Sequence, residues 1–211
     1  GMKREGILVV VSGFSGAGKG TVMKELVRRY DCYALSVSAT TRGPRTGEVE
    51  GIDYFYKTEE QFRAMIEHGE LVEYARYVDH FYGTPKAYVE EQLAAGKDVI
   101  LEIEIQGALK IKKQFPDTLL LFITPPSAQE LVRRLTERGT EDHETILARL
   151  QRASEEAEGI DCYDYLVMND DLDTCVEQTH ELIQLQHRRA SKNMELINQI
   201  RTDLGNLSKG E

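Results

Sequence analysis

The sequence predicts a three-layer α/β fold with a central parallel sheet, and three observations carry that prediction. Strand-like and helix-like segments alternate along the chain, the pattern of parallel strands joined by crossover helices. The strand candidates are continuous apolar runs, as expected of strands covered on both faces. A glycine-rich turn joins the first such run to the first helical stretch. With 211 residues, the chain can bury one sizeable core, so one domain with small appendages is expected.

The elements follow in order. Ile7 to Val11 is a β-branched run that reads as a buried strand. The helix after the glycine turn carries Val22, Met23, Leu26 and Val27 on one side. From about Ser38 to Tyr82 the rhythm breaks into short segments rich in Tyr, Thr, Arg and Gly, among them 54–56 and 71–74, which read as a small mixed insert. Asp98 to Glu102 and Thr118 to Ile123 are two more buried strands, and Tyr165 to Met168 is a fourth. Ser127 with Glu130 matches a capping box, so a helix should open there, turn Leu131 and Leu135 inward and end near Gly139. Residues 138–149 are polar and Gly-interrupted, the kind of segment that closes over a site. From about Asp173 onward one long helical pattern (Val176, Ile183, Leu196, Ile200) reads as a docked C-terminal helix with a fraying end.

Composition narrows the function classes. A net charge of −10 argues against a general nucleic-acid binder, so any phosphate site must concentrate its arginines locally. Cys32, Cys162 and Cys175 are odd in number and widely spaced, which fits neither a disulfide framework nor a zinc site and suggests a reducing, cytoplasmic setting. The longest apolar run is a strand's length, far short of a membrane span, and nothing resembles a signal peptide. Gly1 ahead of Met2 reads as a remnant of tag removal.

The first turn carries the strongest motif. Gly13-Phe-Ser-Gly-Ala-Gly-Lys-Gly-Thr21 follows a strand and opens a helix, the context of a P-loop. Gly13, Gly16 and Gly18 let the backbone curl so that N–H groups, including those of Ser15 and Ala17, converge on phosphate oxygens. The helix N-terminus adds partial positive charge and Lys19 a full one. The general motif places Ser or Thr directly after the lysine as a magnesium ligand; here Gly20 stands there, with Thr21 behind it. Mg²⁺ is therefore expected to be held mainly by phosphates and water, with no dedicated protein metal site, and Thr21 by a phosphate oxygen. That departure also weighs against a GTPase.

Two further clusters suggest an acceptor site. Arg42 and Arg45 are framed by hydroxyls and turns; alone they would be ordinary solvated arginines, but beside a P-loop they suit paired forks around one phosphate. Glu102 and Glu104 lie two apart, so on one strand both would face the crevice at its carboxyl end.

Taken together, SVSATTRGPRTGEVEGIDYFY, GFSGAGKGT, YGTP, ILEIEIQG, ERGTEDHETILARL and VMNDDL resemble the guanylate kinase family, in order over about residues 7–185. The resemblance implies a P-loop NTPase fold with a core of residues 5–37, 84–137 and 151–190. It adds a mixed α/β GMP-binding insert at 38–83, a helical lid at 138–150 and a helical tail at 191–211. It implies Mg-dependent transfer of the ATP γ-phosphate to GMP and dGMP. Ser38, Arg42, Arg45 and Tyr54 match the family's GMP-binding segment, and Tyr82, Gly83 and Thr84 a second phosphate- and base-contacting turn. Glu73 matches the residue that reads guanine. Glu102 and Glu104 match two acidic residues between the nucleotides, more often aspartate in the family. Arg134, Arg138 and Arg149 match lid arginines, and Asn169 with Asp170 lies where the ATP base is expected. The implied catalytic set is Lys19, Arg42, Arg138 and Arg149.

The role of Glu73 also stands on chemistry. Guanine offers two adjacent donors, N1–H and the 2-amino group, which one carboxylate can accept together; adenine offers a lone pair instead. No general base is needed, because the GMP phosphate is already an anionic nucleophile, so the five histidines (His68, His80, His143, His180, His187) are expected at the surface. Two other readings compete. An adenylate kinase shares Gly-Lys-Gly-Thr, but the Arg42/Arg45 segment and Glu73 speak against it. A non-catalytic guanylate-kinase-like binding module usually shows a degraded phosphate loop, whereas Gly13, Gly18 and Lys19 are intact. The expected partners are small nucleotides, with neither nucleic acid nor membrane; a homo-oligomer is compatible with this reading.

Overall fold

The structure is a computed structural model that describes residues 4–137, 139 and 142–210. Its central sheet is parallel, with strand order β2-β7-β1-β8-β9. The strands are β1 (Leu8–Gly13), β2 (Tyr33–Leu35), β7 (Asp98–Glu102), β8 (Leu119–Thr124) and β9 (Tyr165–Met168). β1 lies in the middle, in parallel register with β7 on one side and β8 on the other. The apolar run of β1 divides between two cores. Ile7, Val9 and Val11 pack with Val22, Met23 and Leu26 of α1 (Lys19–Arg29) and with Val176 and Ile183 of α7 (Leu172–Leu185). Leu8 and Val10 pack on the opposite face with Val89 of α3 (Lys86–Ala94) and with Ala108 and Ile111 of α4 (Ile105–Gln114). The period-two alternation of a strand is what sends neighbours to opposite cores. This is the three-layer α/β architecture that the sequence predicts.

A second sheet, ordered β4-β3-β6-β5, is built from the region between α1 and α3. Its strands are β3 (Ser38–Thr40), β4 (Tyr54–Tyr56), β5 (Leu71–Tyr77) and β6 (His80–Pro85). The β5–β6 hairpin turns through Val78 and Asp79, both at positive φ. α2 (Glu59–Glu67) opens on a full capping box between Thr58 and Gln61 and buries Phe62, whose ring stacks on Phe81 of β6 at 5.1 Å. α5 (Ala128–Glu137) buries Leu131 and Leu135 as expected, and the Glu130 N–H donates to Ser127 Oγ at 3.1 Å. The Glu130 carboxylate turns away to Arg133 and Arg134. Asp142 caps α6 (His143–Ala157), so most of the expected lid span, 138–150, falls on this helix.

Two expectations about the fold need correction. The tail is not one helix: α7 ends at Leu185, two short 3₁₀ turns follow, and α8 (Met194–Ser208) starts anew. Asn193 Nδ2 donates to the carbonyls of His187 and Arg189 at 2.9 and 2.8 Å, satisfying groups that a continuing helix would have bonded. α7 is docked, but α8 buries none of its residues. The histidines also divide: His68 and His143 are exposed and His80 is half-buried, whereas His180 and His187 are built into the fold. His180 stacks on Tyr30 with ring centroids 3.5 Å apart and bonds the Tyr33 hydroxyl at 2.7 Å.

His187 closes a network around the fully buried Asp98. That carboxylate accepts from the Ile7 N–H at 2.8 Å, from Gln184 Nε2 at 2.8 Å and from His187 Nε2 at 2.7 Å. Arg4 Nε donates to His187 Nδ1 at 2.9 Å, so the ring donates on one nitrogen and accepts on the other, as only neutral imidazole can. Burial pushes the pKa of His187 down, against the pull of Asp98, and burial also lowers that of His180. The unfolded chain takes up protons below about pH 6.5 that these folded rings resist. Their contribution is therefore complete above that pH and is lost as pH falls from it through the lowered folded pKa values. Melting temperature is expected to fall by a few degrees between pH 7.5 and 5.5, and His187→Gln to remove part of that decline. An unchanged slope in the variant would take His187 out of the account.

Candidate active site

The phosphate loop is a consequence of where β1 stops and α1 starts. Gly16 and Gly18 take positive φ, 87° and 82°, and Gly18 is the N-cap of α1 with no side-chain hydrogen bond to the helix. The first N–H groups of α1 thus have no side-chain cap, as an anion site requires. Gly18 cannot be replaced freely: a Cβ there would lie 2.7 Å from Asn169 Nδ2. Asn169 is buried beside the loop and donates Nδ2 to the Ala17 carbonyl at 2.8 Å. Arg134 in turn donates to the Asn169 carbonyl at 2.8 Å, while Asp170 is exposed at the following position. Arg134 and Asn169 are thereby brought to the loop as a brace, with the Asn169 amide nitrogen already committed to the protein.

A cleft of about 460 Å³ opens over the loop. Gly13, Ser15, Gly16, Gly18, Lys19, Gly20 and Thr21 line one side, and Glu102, Glu104, Arg152 and Glu156 also border it. Ala17 is buried behind it. Ser12 Oγ donates to the Ile103 carbonyl at 2.5 Å and ties the end of β1 to the chain leaving β7. Glu102 and Glu104 are not on one strand as expected. β7 ends at Glu102, and Glu104 is the N-cap of α4, accepting from the Gln106 and Gly107 N–H groups at 2.8 and 2.7 Å. A carboxylate two residues beyond the last ladder bond is better placed to satisfy orphan helix donors, and it is held there.

A second cleft, of about 360 Å³, lies on the side of the β4-β3-β6-β5 sheet and is lined by Ser38, Tyr54 and Thr84. Glu102 and Ile103 border both clefts. Arg42 stands over the Tyr54 ring, 5.0 Å from its centroid. Tyr54 and Tyr82 have their ring centroids 6.1 Å apart. Arg42 also meets an unforeseen partner: Glu48 takes its fork at 2.8 and 2.9 Å, accepts from the Arg45 N–H at 2.7 Å and from the Tyr56 hydroxyl at 3.1 Å. The guanidinium holds the Glu48 pKa down at about 2, and the carboxylate raises that of Arg42 further above its usual range. The Arg45 side chain is exposed.

Glu73, on β5, accepts from Thr84 Oγ1 at 3.2 Å, and Gly83 pairs with Tyr74 next to it. Burial pushes the Glu73 pKa up, and nearby Glu104 adds to the shift. A Cβ on Gly107 would lie 3.2 Å from a Glu73 oxygen and 3.3 Å from one of Glu104, which shows how closely the two carboxylates converge at the start of α4. Arg149 is half-buried on α6. Arg138 lies outside the described residues. Sequence reasoning missed Glu48, Arg152 and Glu156. For Arg152 a signal existed, since it follows Arg149 by one helical turn on the same face.

A glycine-rich loop between a central parallel strand and its helix, facing a second cleft across a shared carboxylate, defines a P-loop protein built to bring two ligands together. The family model for guanylate kinase matches residues 5–186. Guanylate kinase from Caldanaerobacter subterraneus subsp. tengcongensis is 48% identical over 202 residues, covering 96% of this chain and 98% of that one. Guanylate kinase from Oceanobacillus iheyensis is 48% identical over 191 residues, covering 90% and 93%. Among solved structures, guanylate kinase from Anaplasma phagocytophilum superposes with a TM-score of 0.70 at 30% identity, covering 90% of each chain. The chain belongs to the guanylate kinase family.

Proposed function

We propose that this chain is an ATP:GMP phosphotransferase that moves the γ-phosphoryl group of ATP to GMP or dGMP. The observation that carries the reading is the wall formed by Glu102 and Ile103, common to the phosphate-loop cleft and to the cleft beside Tyr54. Two phosphates entering from opposite sides meet there. Lys19 and the loop amides hold the β- and γ-phosphates of the donor. Arg42 and Arg45, with Tyr54, take the acceptor phosphate, and Glu48 keeps the Arg42 fork oriented until it arrives. Ser38, Tyr82, Gly83 and Thr84 frame the acceptor, and Glu73 reads its base. Arg134, Asn169 and Asp170 mark the donor-base side, while Arg138 and Arg149 act from the lid, 138–150, against the insert, 38–83.

The reaction needs alignment and charge neutralisation more than covalent help. An oxygen of the acceptor phosphate bonds to the γ-phosphorus, the bond to the β–γ bridging oxygen breaks, and ADP leaves with that electron pair. No proton has to be removed from the nucleophile. Glu102, exposed at the cleft, suits the water shell of a hard cation. When bound, Mg²⁺ would neutralise charge on the donor phosphates, with Glu102 accepting from its waters. The free thiols of Cys32, Cys162 and Cys175 fit a cytoplasmic setting, and no helix among the described residues is long and apolar enough to cross a membrane.

A coupled ADP-release assay with GMP, dGMP, AMP, CMP and UMP tests the reading. GMP and dGMP should turn over readily, with AMP, CMP and UMP far slower. Robust turnover of AMP without GMP would overturn it.

A further inference from the structure

Arg152 has no role in the reading so far, yet it borders the phosphate-loop cleft together with Lys19. It sits on α6, one turn after Arg149. Its guanidinium is held on two sides. Nε lies 3.3 Å from Glu156 Oε1 one turn further along the helix, and Cζ lies 5.9 Å from the ring centroid of Tyr77, the last residue of β5. Both contacts are weak. The side chain is 58% exposed, where an ion pair between helix turns contributes little, and the ring contact is at the outer limit of a cation–π interaction. Glu156, partly buried in the same cleft, also feels the charges of Lys19 and Glu104. A phosphate seated on the loop would bring more negative charge to this guanidinium than the single, partly buried carboxylate of Glu156, and would use its planar fork.

We propose that Arg152 is a further catalytic residue: on nucleotide binding its guanidinium leaves Glu156 and Tyr77 and takes an oxygen of the transferring phosphate, facing Lys19. The inference rests on the phosphotransferase reading. It differs from a role as a latch between α6 and the β4-β3-β6-β5 sheet, in which the Tyr77 contact would be the part that matters.

The test uses Arg152→Met, which keeps the apolar stem in a helix-compatible residue, Arg152→Lys, which keeps charge without the fork, and Tyr77→Leu. Steady-state kcat and both KM values are measured with ATP and GMP beside wild type, with melting temperature as the structural control. The expected result for Arg152→Met is a kcat lowered about 30-fold or more, a KM for GMP changed less than about threefold and a melting temperature near wild type. Arg152→Lys should lose about tenfold in kcat, and Tyr77→Leu should stay within about twofold. Wild-type kcat in either arginine variant overturns the proposal, and so does a Tyr77→Leu loss equal to that of Arg152→Met. Should Arg152→Met fail to fold, Arg152→Lys decides alone. Absence of GMP turnover in the wild type would sink the functional reading itself, which is a different outcome.

Discussion

Lys19→Ala is expected to lower kcat for GMP phosphorylation about 10³-fold while leaving the fold intact. Lys19 is the first residue of α1 and lines the cleft, half-buried, where the helix start and the uncapped N–H groups already favour an anion. A charge held in place before the reaction begins would stabilise the charge shifting toward the β–γ bridge without reorganising. The fold should survive because α1 is anchored elsewhere, by Val22, Met23 and Leu26 in the core, and alanine is the best helix former. Coupled-assay kcat together with circular dichroism melting separates the two effects. A variant that turns GMP over within about threefold of wild type would remove the loop from the mechanism, whereas lost activity with an unfolded spectrum would show that the residue is structural.

The loop was legible because its chemistry is written in consecutive residues. The same holds for β1 and β7, whose apolar runs state that both faces are covered, and for α5, whose Ser127 start and Leu131/Leu135 stripe lie within one short window. What escaped depends on partners brought together by the fold or on where an element stops. Nothing local shows that Glu48 will close on Arg42 six residues back, because that pairing needs the turn between them. Glu104 looked like a strand neighbour of Glu102 because a period of two says nothing about where the ladder ends. His187 looked like surface because Asp98, which buries it, is far away in sequence. The helical pattern after Asp173 ran on through a break after Leu185, across which the Asn193 side chain bonds backward to two carbonyls. Periodicity reports faces, while boundaries and charge partners are decided by tertiary hydrogen bonds.

Glu73→Ala is expected to cut kcat/KM for GMP about 10³-fold and to leave the far slower reaction with AMP within a few-fold, so that base preference rather than chemistry is lost. The carboxylate stands half-buried, with Thr84 Oγ1 on one oxygen at 3.2 Å and Glu104 close by. A guanine edge would return two hydrogen bonds to it. An adenine edge would return none and leave the buried charge facing a lone pair, and that asymmetry is what lets a hydrogen-bonding site reject the wrong base so strongly. Glu73→Gln separates charge from shape, since one acceptor becomes a donor aimed at guanine's own donors, so it should be no better than alanine for GMP. The pH dependence adds a second mark. Burial raises the Glu73 pKa, so the form that accepts from guanine is lost at a higher pH than for an ordinary carboxylate. The kcat/KM for GMP should therefore decline on the acid side earlier than a solvated glutamate would dictate, and that limb should vanish in Glu73→Ala. Equal GMP-to-AMP ratios in the wild type and the alanine variant would mean that the base is read by another group, and Thr84 and Ser38 would be the next to substitute.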